Sequence, residues 1–135
     1  MTADELFIDT AFVQAFIDAN DQHHAWAIRI LPQIRQARTA LTTEGVLAET
    51  ASALSTIDRA AAARFIRRCY TTSNMVVVPV DHELFLRGLS LYESRTDKTW
   101  SLVDCVSFSV MQDHGITLAA TTDRHFDQAG FRRIP

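Results

Sequence analysis

Short apolar runs alternate with longer amphipathic stretches along the whole chain. One run, from Met75 to Val80, is apolar and largely β-branched, which is typical of a strand buried on both faces of a sheet. Further strands are predicted at residues 6–8, 39–43, 116–120 and 131–134. The amphipathic stretches predict helices at residues 11–19, 24–37, 44–57, 60–70, 82–92 and 102–114. Strands that alternate with helices favour an α/β fold in which helices cover both faces of a parallel sheet.

No linker, internal repeat or change in composition divides the chain, so we expect one domain over residues 1–135. A hydrophobic content of 47% and a charged content of 21% are ordinary for a globular protein. No apolar run approaches the ~20 residues that a membrane-spanning helix needs. The acidic start, from Met1 to Glu5, does not resemble a signal peptide. We therefore expect a cytoplasmic protein that has no membrane partner.

The charge balance restricts how the chain can bind nucleic acid. Sixteen acidic residues outweigh thirteen basic ones, which gives a net charge of −3. A protein that holds nucleic acid on a broad basic surface is normally basic. Any such role must therefore depend on a local patch or on metal ions. A structural zinc site is not expected, because Cys69 and Cys105 form no C-x-x-C pair.

Four acidic residues lie near the ends of the predicted strands. Asp9 ends the first strand and Asp123 follows the fourth, while Glu49 and Asp104 lie early in two helices. Ligands of parallel sheets bind beyond the carboxyl ends of the strands, so we expect these side chains to converge there. Two carboxylates ~6 Å apart repel each other by roughly 3 kcal/mol at an effective dielectric of ~20. A shared pocket would therefore raise their pKa values or recruit a cation, and all-oxygen ligands favour Mg²⁺ or Mn²⁺.

Each acid also has a purely structural interpretation. Asp9 could cap the helix that follows it, and Asp123 could cap a short last helix. Asp104 fits a capping box with Ser101. Glu49 flanks an apolar arc of its helix, where a surface glutamate is unusual. The functional interpretation depends on the joint placement of the four acids.

Four segments of the chain resemble the acid motifs of PIN-domain nucleases. They are FIDTAFV around Asp9, TTEGVLAET around Glu49, WSLVDC around Asp104 and LAATTDRHF around Asp123. They follow the family's order, and the resemblance as a whole extends over the entire chain. The resemblance implies a three-layer α/β/α sandwich with a central parallel sheet, and a metal-dependent ribonuclease. A chain of this size most resembles the VapC-type toxins of toxin–antitoxin pairs, which implies a homodimer and a cognate antitoxin protein.

The resemblance also implies roles for individual acids. Three of them would ligate Mg²⁺ or Mn²⁺, namely Asp9, Asp104 and Asp123. Glu49 would hold a second ion or orient a water through a bound one. Asp97 is an accessory acid in the loop before the third motif. The implied reaction is hydrolysis of an RNA phosphodiester by a metal-activated water, which leaves a 5′-phosphate and a 3′-hydroxyl.

Other polar residues are candidates for supporting contacts. Those that could hydrogen-bond the carboxylates or a water are Thr10, Ser101 and Thr122. Those that could contact the RNA are Arg64, Arg68, Arg124 and His125. For Arg64 and Arg68, which lie one turn apart, a solvated helix face is the competing interpretation. A plain surface position is the competing interpretation for His125.

Two other functions remain open at the level of the sequence. A PIN-domain nuclease of RNA processing, which needs no antitoxin, would carry the same acids. A phospho-receiver signalling domain has a similar size and acids at its strand ends, but it needs a lysine after the last strand. It also normally has paired acids after the first strand. Here the only lysine, Lys98, precedes a predicted helix, and Asp9 stands alone.

Overall fold

The fold consists of one parallel sheet with helices on both faces. The computed structural model describes residues 4–135, so the first three residues of the acidic start lie outside it. The strands are β1 (Glu5–Ile8), β2 (Thr39–Thr43), β3 (Met75–Val78), β4 (Leu118–Ala120) and β5 (Arg132–Arg133). The helices are α1 (Thr10–Ile17), α2 (His24–Gln36), α3 (Glu44–Leu54), α4 (Arg59–Cys69), α5 (His82–Ser94), α6 (Leu102–His114) and α7 (His125–Gln128).

Strand β1 lies at the centre of the sheet. The strand order is β3-β2-β1-β4-β5, and every neighbouring pair is parallel. Phe7 of β1 pairs with Leu41 of β2 on one side and with Ala119 of β4 on the other. Ile8 pairs with Ala120, so the residues that follow β1 and β4 lie side by side at the carboxyl edge. The predicted α/β sandwich with a central parallel sheet is confirmed.

The apolar character of β1 follows from its coverage by helices on both faces. Leu6 and Ile8 pack against residues of α1 and α2, whereas Phe7 packs against residues of α6. All three side chains are almost completely buried. Successive strand residues point to opposite faces, so a central strand with two covered faces needs an uninterrupted apolar run.

Strand β3 differs from its prediction, because residues 75–80 are not buried on both faces. β3 is an edge strand, and Val76 is 42% exposed. The strand ends at Val78, beside the last residue of β2. Pro79 follows, and it lacks the N–H that another ladder hydrogen bond would need. An apolar run alone does not distinguish an edge strand from a central one.

Two helix predictions also need correction. α3 ends at Leu54 rather than near residue 57, which leaves Ile57 56% exposed. The chain turns there, and Asp58 caps α4 by accepting the N–H of Ala61 at 3.0 Å. The second difference is α7, which was not among the six predicted helices. It follows Asp123, whose Oδ1 accepts the N–H of His125 at 2.9 Å, but the N-cap position of α7 is occupied by Arg124 rather than by Asp123.

Helices α5 and α6 approach each other closely at Gly88. A Cβ atom on Gly88 would lie 2.4 Å from Cγ2 of Val106. The contact therefore requires a residue without a side chain, even though glycine is unfavourable inside a helix. Both helices have 13 residues. Within residues 4–135, no helix is both long and apolar enough to cross a membrane.

Candidate metal centre

Asp9 and Thr121 meet where the two central strands end. Because Ile8 pairs with Ala120, the next residue of each strand lies beside the other, and the N–H of Asp9 donates to the carbonyl of Ala120 at 3.3 Å. The hydroxyl of Thr121 donates to Oδ2 of Asp9 at 2.7 Å. Asp9 is only 4% exposed and makes no side-chain capping bond to α1. Asp9 thus occupies the N-cap position of α1, but its side chain bonds Thr121 instead of supplying the cap.

Burial of its carboxyl group raises the pKa of Asp9 to about 7. The Thr121 hydroxyl and the backbone of Thr10 act in the opposite direction, because they hydrogen-bond the charged form. The negative charges of Asp104 and Asp123 raise the pKa further. The charges of Asp104 and Asp123 thus act on Asp9, although Asp9 does not belong to the compact group of ligand atoms that Asp104 and Asp123 form with His125.

Asp104 caps its own helix and also contacts the centre. Its N–H donates to Oγ of Ser101 at 3.0 Å, and its Oδ2 accepts the N–H of Ser101 at 3.1 Å. The capping box is thus confirmed. The same Oδ2 lies 2.8 Å from Nδ1 of His125. The structural and the functional interpretation of Asp104 do not compete, because one carboxylate serves both contacts.

Asp123 and His125 complete the cluster from the segment after β4. The N–H of Asp123 donates to Oγ1 of Thr121 at 3.0 Å. Oδ2 of Asp123 lies 3.4 Å from Nδ1 of His125, whose Nε2 lies 3.2 Å from Oγ1 of Thr99. The side chain of His125 is 26% exposed. His125 therefore lies between two acids and the loop before α6, which the RNA-contact and plain-surface interpretations of this residue did not include.

These donor atoms suit a divalent cation. Asp104, Asp123 and His125 each offer one ligand atom within 4.8 Å of the others. Carboxylate oxygens are ligands that Mg²⁺ and Mn²⁺ prefer. A bound cation would also favour the charged form of Asp9 and offset the repulsion between the acids. The residues present therefore fit such an ion.

The family of the chain follows from a comparison with known proteins. A family model described as the PIN domain matches residues 6–132. The chain belongs to the PIN-domain family. This membership removes the phospho-receiver alternative, which depended on size and strand-end acids alone.

Relatives of this PIN domain match it from end to end. The 23S rRNA-specific endonuclease VapC20 of Mycobacterium tuberculosis is 32% identical over 134 residues, which cover 96% of this chain and 97% of that protein. The crystal structure of M. tuberculosis VapC20, described as a sarcin–ricin loop cleaving toxin, has a TM-score of 0.84 and 28% identity. That match covers 93% of this chain and 95% of the other.

A more distant neighbour shares the fold of this PIN domain. The structure of FitAB bound to a DNA fragment matches with a TM-score of 0.67 and 13% identity. It covers 96% of this chain and 93% of the other. At this identity the likeness concerns the fold alone.

Glu49 lies apart from the compact cluster of the PIN domain. It is half-buried on α3, in the segment that resembles a family motif. It does not belong to the set of ligand atoms within 4.8 Å of one another. Among residues 4–135 no hydrogen bond or ion pair holds its carboxylate, so the side chain is available to turn. Its role in metal or water binding stays a prediction.

Asp97 is engaged in the loop rather than in the cluster. Its two carboxylate oxygens accept from Nε and Nη2 of Arg95, each at 3.0 Å. Lys98 Nζ lies 3.6 Å from Oδ2 of the same residue. The hydrogen bond from the Arg95 guanidinium lowers the pKa of Asp97 below its usual range. Asp97 is therefore the anion of a surface ion pair, and its accessory role stays a prediction.

The supporting hydrogen bonds differ in part from those expected. Ser101 bonds Asp104, as predicted. The hydroxyl of Thr10 instead points to the carbonyl of Val46, at 3.5 Å. Thr122 offers only its carbonyl, which accepts from Nη1 of Arg133 at 2.9 Å. Thr121 takes the place predicted for Thr122, and the pairing of Ile8 with Ala120 is the reason.

The arginines proposed to contact RNA all lie on the surface. Arg124 is exposed beside the cluster, between Asp123 and His125. Arg64 and Arg68 are exposed on α4. Arg68 also lines a groove with residues of α1 and α2, whereas Arg59 and Arg67 line a separate groove beside α3. The positive charge of α4 is therefore divided between two surfaces.

Proposed function

We propose that this PIN domain is a metal-dependent endoribonuclease that acts as the toxin of a toxin–antitoxin pair. The observation that carries the proposal is the group of Asp104, Asp123 and His125, whose ligand atoms lie within 4.8 Å of one another, with the buried carboxyl group of Asp9 at the end of the neighbouring strand β1. The likeness to the endonuclease VapC20 over nearly the whole chain supports the same activity. An RNA-processing nuclease would share this centre, and it differs in having no antitoxin partner.

The three aspartates would hold Mg²⁺ or Mn²⁺ at this edge. When bound, the ion would polarise a phosphoryl oxygen and make water a better nucleophile. Thr121 orients Asp9 through its hydroxyl and positions Asp123 through the N–H of that residue. Ser101 fixes Asp104 at the start of α6. Glu49 is the fourth acid that lies in a segment resembling a family motif. We assign it to the binding of a second ion or to the orientation of a water.

The substrate we propose is a structured loop of 23S ribosomal RNA. VapC20, which is described as specific for 23S rRNA and as cleaving the sarcin–ricin loop, supports this choice. The net charge of −3 leaves no broad basic surface. We therefore assign phosphate contacts to single arginines, with Arg124 beside the metal centre and Arg64 and Arg68 farther along α4. Cleavage leaves a 5′-phosphate and a 3′-hydroxyl.

The proposed antitoxin would lie in the groove between α2 and α4. This groove has a volume of about 220 Å³. It is mainly apolar, and its lining includes Phe12, Phe16, Leu31, Phe65, Arg35 and Arg68. Such a surface suits an amphipathic segment that carries aromatic and acidic residues. Arg68→Glu should weaken binding of an acidic-tailed antitoxin, whereas Arg64→Glu, one turn away, is the matched control.

We also propose that the protein is a cytoplasmic homodimer. Helix α5 exposes three large apolar residues, namely Phe85, Leu86 and Tyr92, which are 43%, 44% and 49% exposed. Clusters of exposed apolar residues are common at sites of protein association. Sedimentation analysis of the wild type and of Phe85→Asp tests the dimer, which should be lost in the variant.

RNA cleavage by the wild type and by Asp104→Asn tests the enzymatic proposal. Asparagine keeps the shape and the capping acceptor of residue 104 but removes the charge that holds a cation. We expect cleavage of 23S rRNA with Mn²⁺ or Mg²⁺ and none in Asp104→Asn, with little change in thermal stability. Asp113→Asn, at the exposed end of the same helix, should cleave normally. If Asp104 is only a cap, RNA cleavage will survive in Asp104→Asn.

A further inference from the structure

The imidazole of His125 lies between two carboxylates and is hydrogen-bonded to one of them. Its Nδ1 lies 2.8 Å from Oδ2 of Asp104 and 3.4 Å from Oδ2 of Asp123. One nitrogen thus faces the two acids that we assign to the metal. Without an ion an N–H at Nδ1 can donate to Asp104, and in the other tautomer the same nitrogen carries a lone pair that can bind a metal.

These separations match those between neighbouring ligand atoms around one ion. An octahedral ion with bonds of about 2.1 Å places adjacent donor atoms about 3.0 Å apart. The two distances at Nδ1, 2.8 and 3.4 Å, lie on either side of that value. The three donor atoms could therefore share one coordination sphere with little movement of their side chains.

Thr99 holds the ring in this orientation from the opposite side. Its Oγ1 lies 3.2 Å from Nε2 of His125. When Nε2 carries the hydrogen and donates to Thr99, Nδ1 presents its lone pair towards the acids. Histidines that bind metals almost always have their second ring nitrogen hydrogen-bonded to an oxygen in this way. The loop before α6 therefore provides the support that a metal-binding histidine needs.

We infer that His125 is a nitrogen ligand of the ion held by Asp104 and Asp123, and that Thr99 is its positioning residue. This extends the proposed function, on which it rests, from an all-oxygen set to a mixed one. Imidazole suits transition ions, whereas Mg²⁺ is held mainly by oxygen. The centre should therefore prefer Mn²⁺ to Mg²⁺, which the acids alone do not imply.

Binding of Mn²⁺ and Mg²⁺ without RNA is the first test. Isothermal titration should give a dissociation constant for Mn²⁺ that rises about tenfold or more in His125→Asn. The constant for Mg²⁺ should rise less than about threefold, because oxygen ligands remain. Asparagine can still donate an N–H to Asp104 in the metal-free protein, but it lacks the imidazole nitrogen that would bind the ion. His114→Asn, at the exposed end of α6, is the matched control and should bind both ions as the wild type does.

Pulsed electron paramagnetic resonance of the Mn²⁺-loaded protein is the second test. We expect coupling to an imidazole nitrogen in the wild type and in His114→Asn, but none in His125→Asn. Thr99→Val should weaken Mn²⁺ binding by roughly tenfold, and Thr99→Ser, which keeps the hydroxyl, should restore it. The inference is overturned if wild-type Mn²⁺ shows no nitrogen coupling, or if His125→Asn binds Mn²⁺ unchanged.

The outcomes also separate this inference from the proposed function. If Mn²⁺ binds and RNA is cleaved without nitrogen coupling, His125 is a hydrogen-bond donor only and the ribonuclease proposal stands. If the wild type binds neither ion and still cleaves RNA in the presence of a chelator, both the mixed ligand set and the metal dependence are wrong.

Discussion

The buried carboxyl group of Asp9 should make the metal-free protein less stable than its Asn variant at alkaline pH. Asp9→Asn removes the charge and keeps an oxygen that can accept the hydroxyl of Thr121. In the folded protein the pKa of Asp9 is about 7, against an ordinary value of 3.8. The unfolded chain therefore releases this proton at a lower pH than the folded protein does. As pH rises from about 4 to about 7, the wild type progressively loses free energy of unfolding.

The magnitude follows from the two pKa values. Each pH unit between 3.8 and about 7 corresponds to about 1.4 kcal/mol, so the loss approaches about 4 kcal/mol. The amide introduced by Asp9→Asn brings a buried N–H₂ group that costs about 1–3 kcal/mol where it finds no partner. We therefore expect the variant to be less stable than the wild type near pH 4 and more stable at pH 8.

Urea unfolding of both proteins at several pH values, in the presence of a chelator, measures this difference. The difference in unfolding free energy should change by about 4 kcal/mol between pH 4 and pH 8. In the control Asp4→Asn, which alters an exposed acid before β1, the unfolding free energy should change with pH in parallel with that of the wild type. If the unfolding free energies of Asp9→Asn and the wild type change with pH in parallel, the carboxyl group of Asp9 does not have a raised pKa in the folded protein.

Added Mn²⁺ should reverse the order of stability at pH 8. An ion that binds only the folded state adds about 2.7 kcal/mol at a hundredfold excess over its dissociation constant. The wild type should gain this stability, whereas Asp9→Asn should gain much less. An equal rise in melting temperature for both proteins would place the ion away from Asp9.

Three further substitutions test separate contacts. Thr121→Val should weaken Mn²⁺ binding by roughly tenfold in a titration, because Asp9 loses the hydroxyl that orients it. The control is Thr117→Val, at an exposed residue before β4, which should bind Mn²⁺ as the wild type does. Gly88→Ala should lower the urea midpoint by an amount equivalent to about 1–3 kcal/mol, since its Cβ would lie 2.4 Å from Val106, whereas Ser90→Ala on the same helix should have little effect. Asp97→Asn should change stability and Mn²⁺ affinity little, because the ion pairs of Asp97 are exposed. A large loss of Mn²⁺ affinity in this variant would show that Asp97 contributes to the metal centre.

The sequence predicts the acids better than it predicts their partners. Asp9 and Asp123 each follow an apolar run, and parallel strands end at one edge, so their convergence follows from elementary geometry. The choice between Thr121 and Thr122 depends on the register of β1 against β4, which no local pattern shows. The turn into α7 likewise decides that His125 faces inward. Side-chain direction at a strand end therefore requires the tertiary structure.

The edge position of β3 shows the same limit. A run of β-branched residues indicates a strand, but the number of neighbouring strands is a property of the whole sheet. Val76 carries the same apolar side chain whether a further strand covers it or not. The apolar run of β1, by contrast, matches its surroundings, because helices cover both of its faces and a strand lies on each side.

The placement of β1 between β2 and β4 has a consequence for synthesis of the chain. The residue that orients Asp9, Thr121, follows it by 112 positions, and β4 is the fourth of the five strands in chain order. A chain that is still emerging from the ribosome lacks both Thr121 and Asp123 until the segment after β4 has been made. The acids can then be neither oriented nor gathered, because β1 lacks a neighbour on one side. The metal centre is therefore incomplete until β4 has been translated and has joined β1 in the sheet.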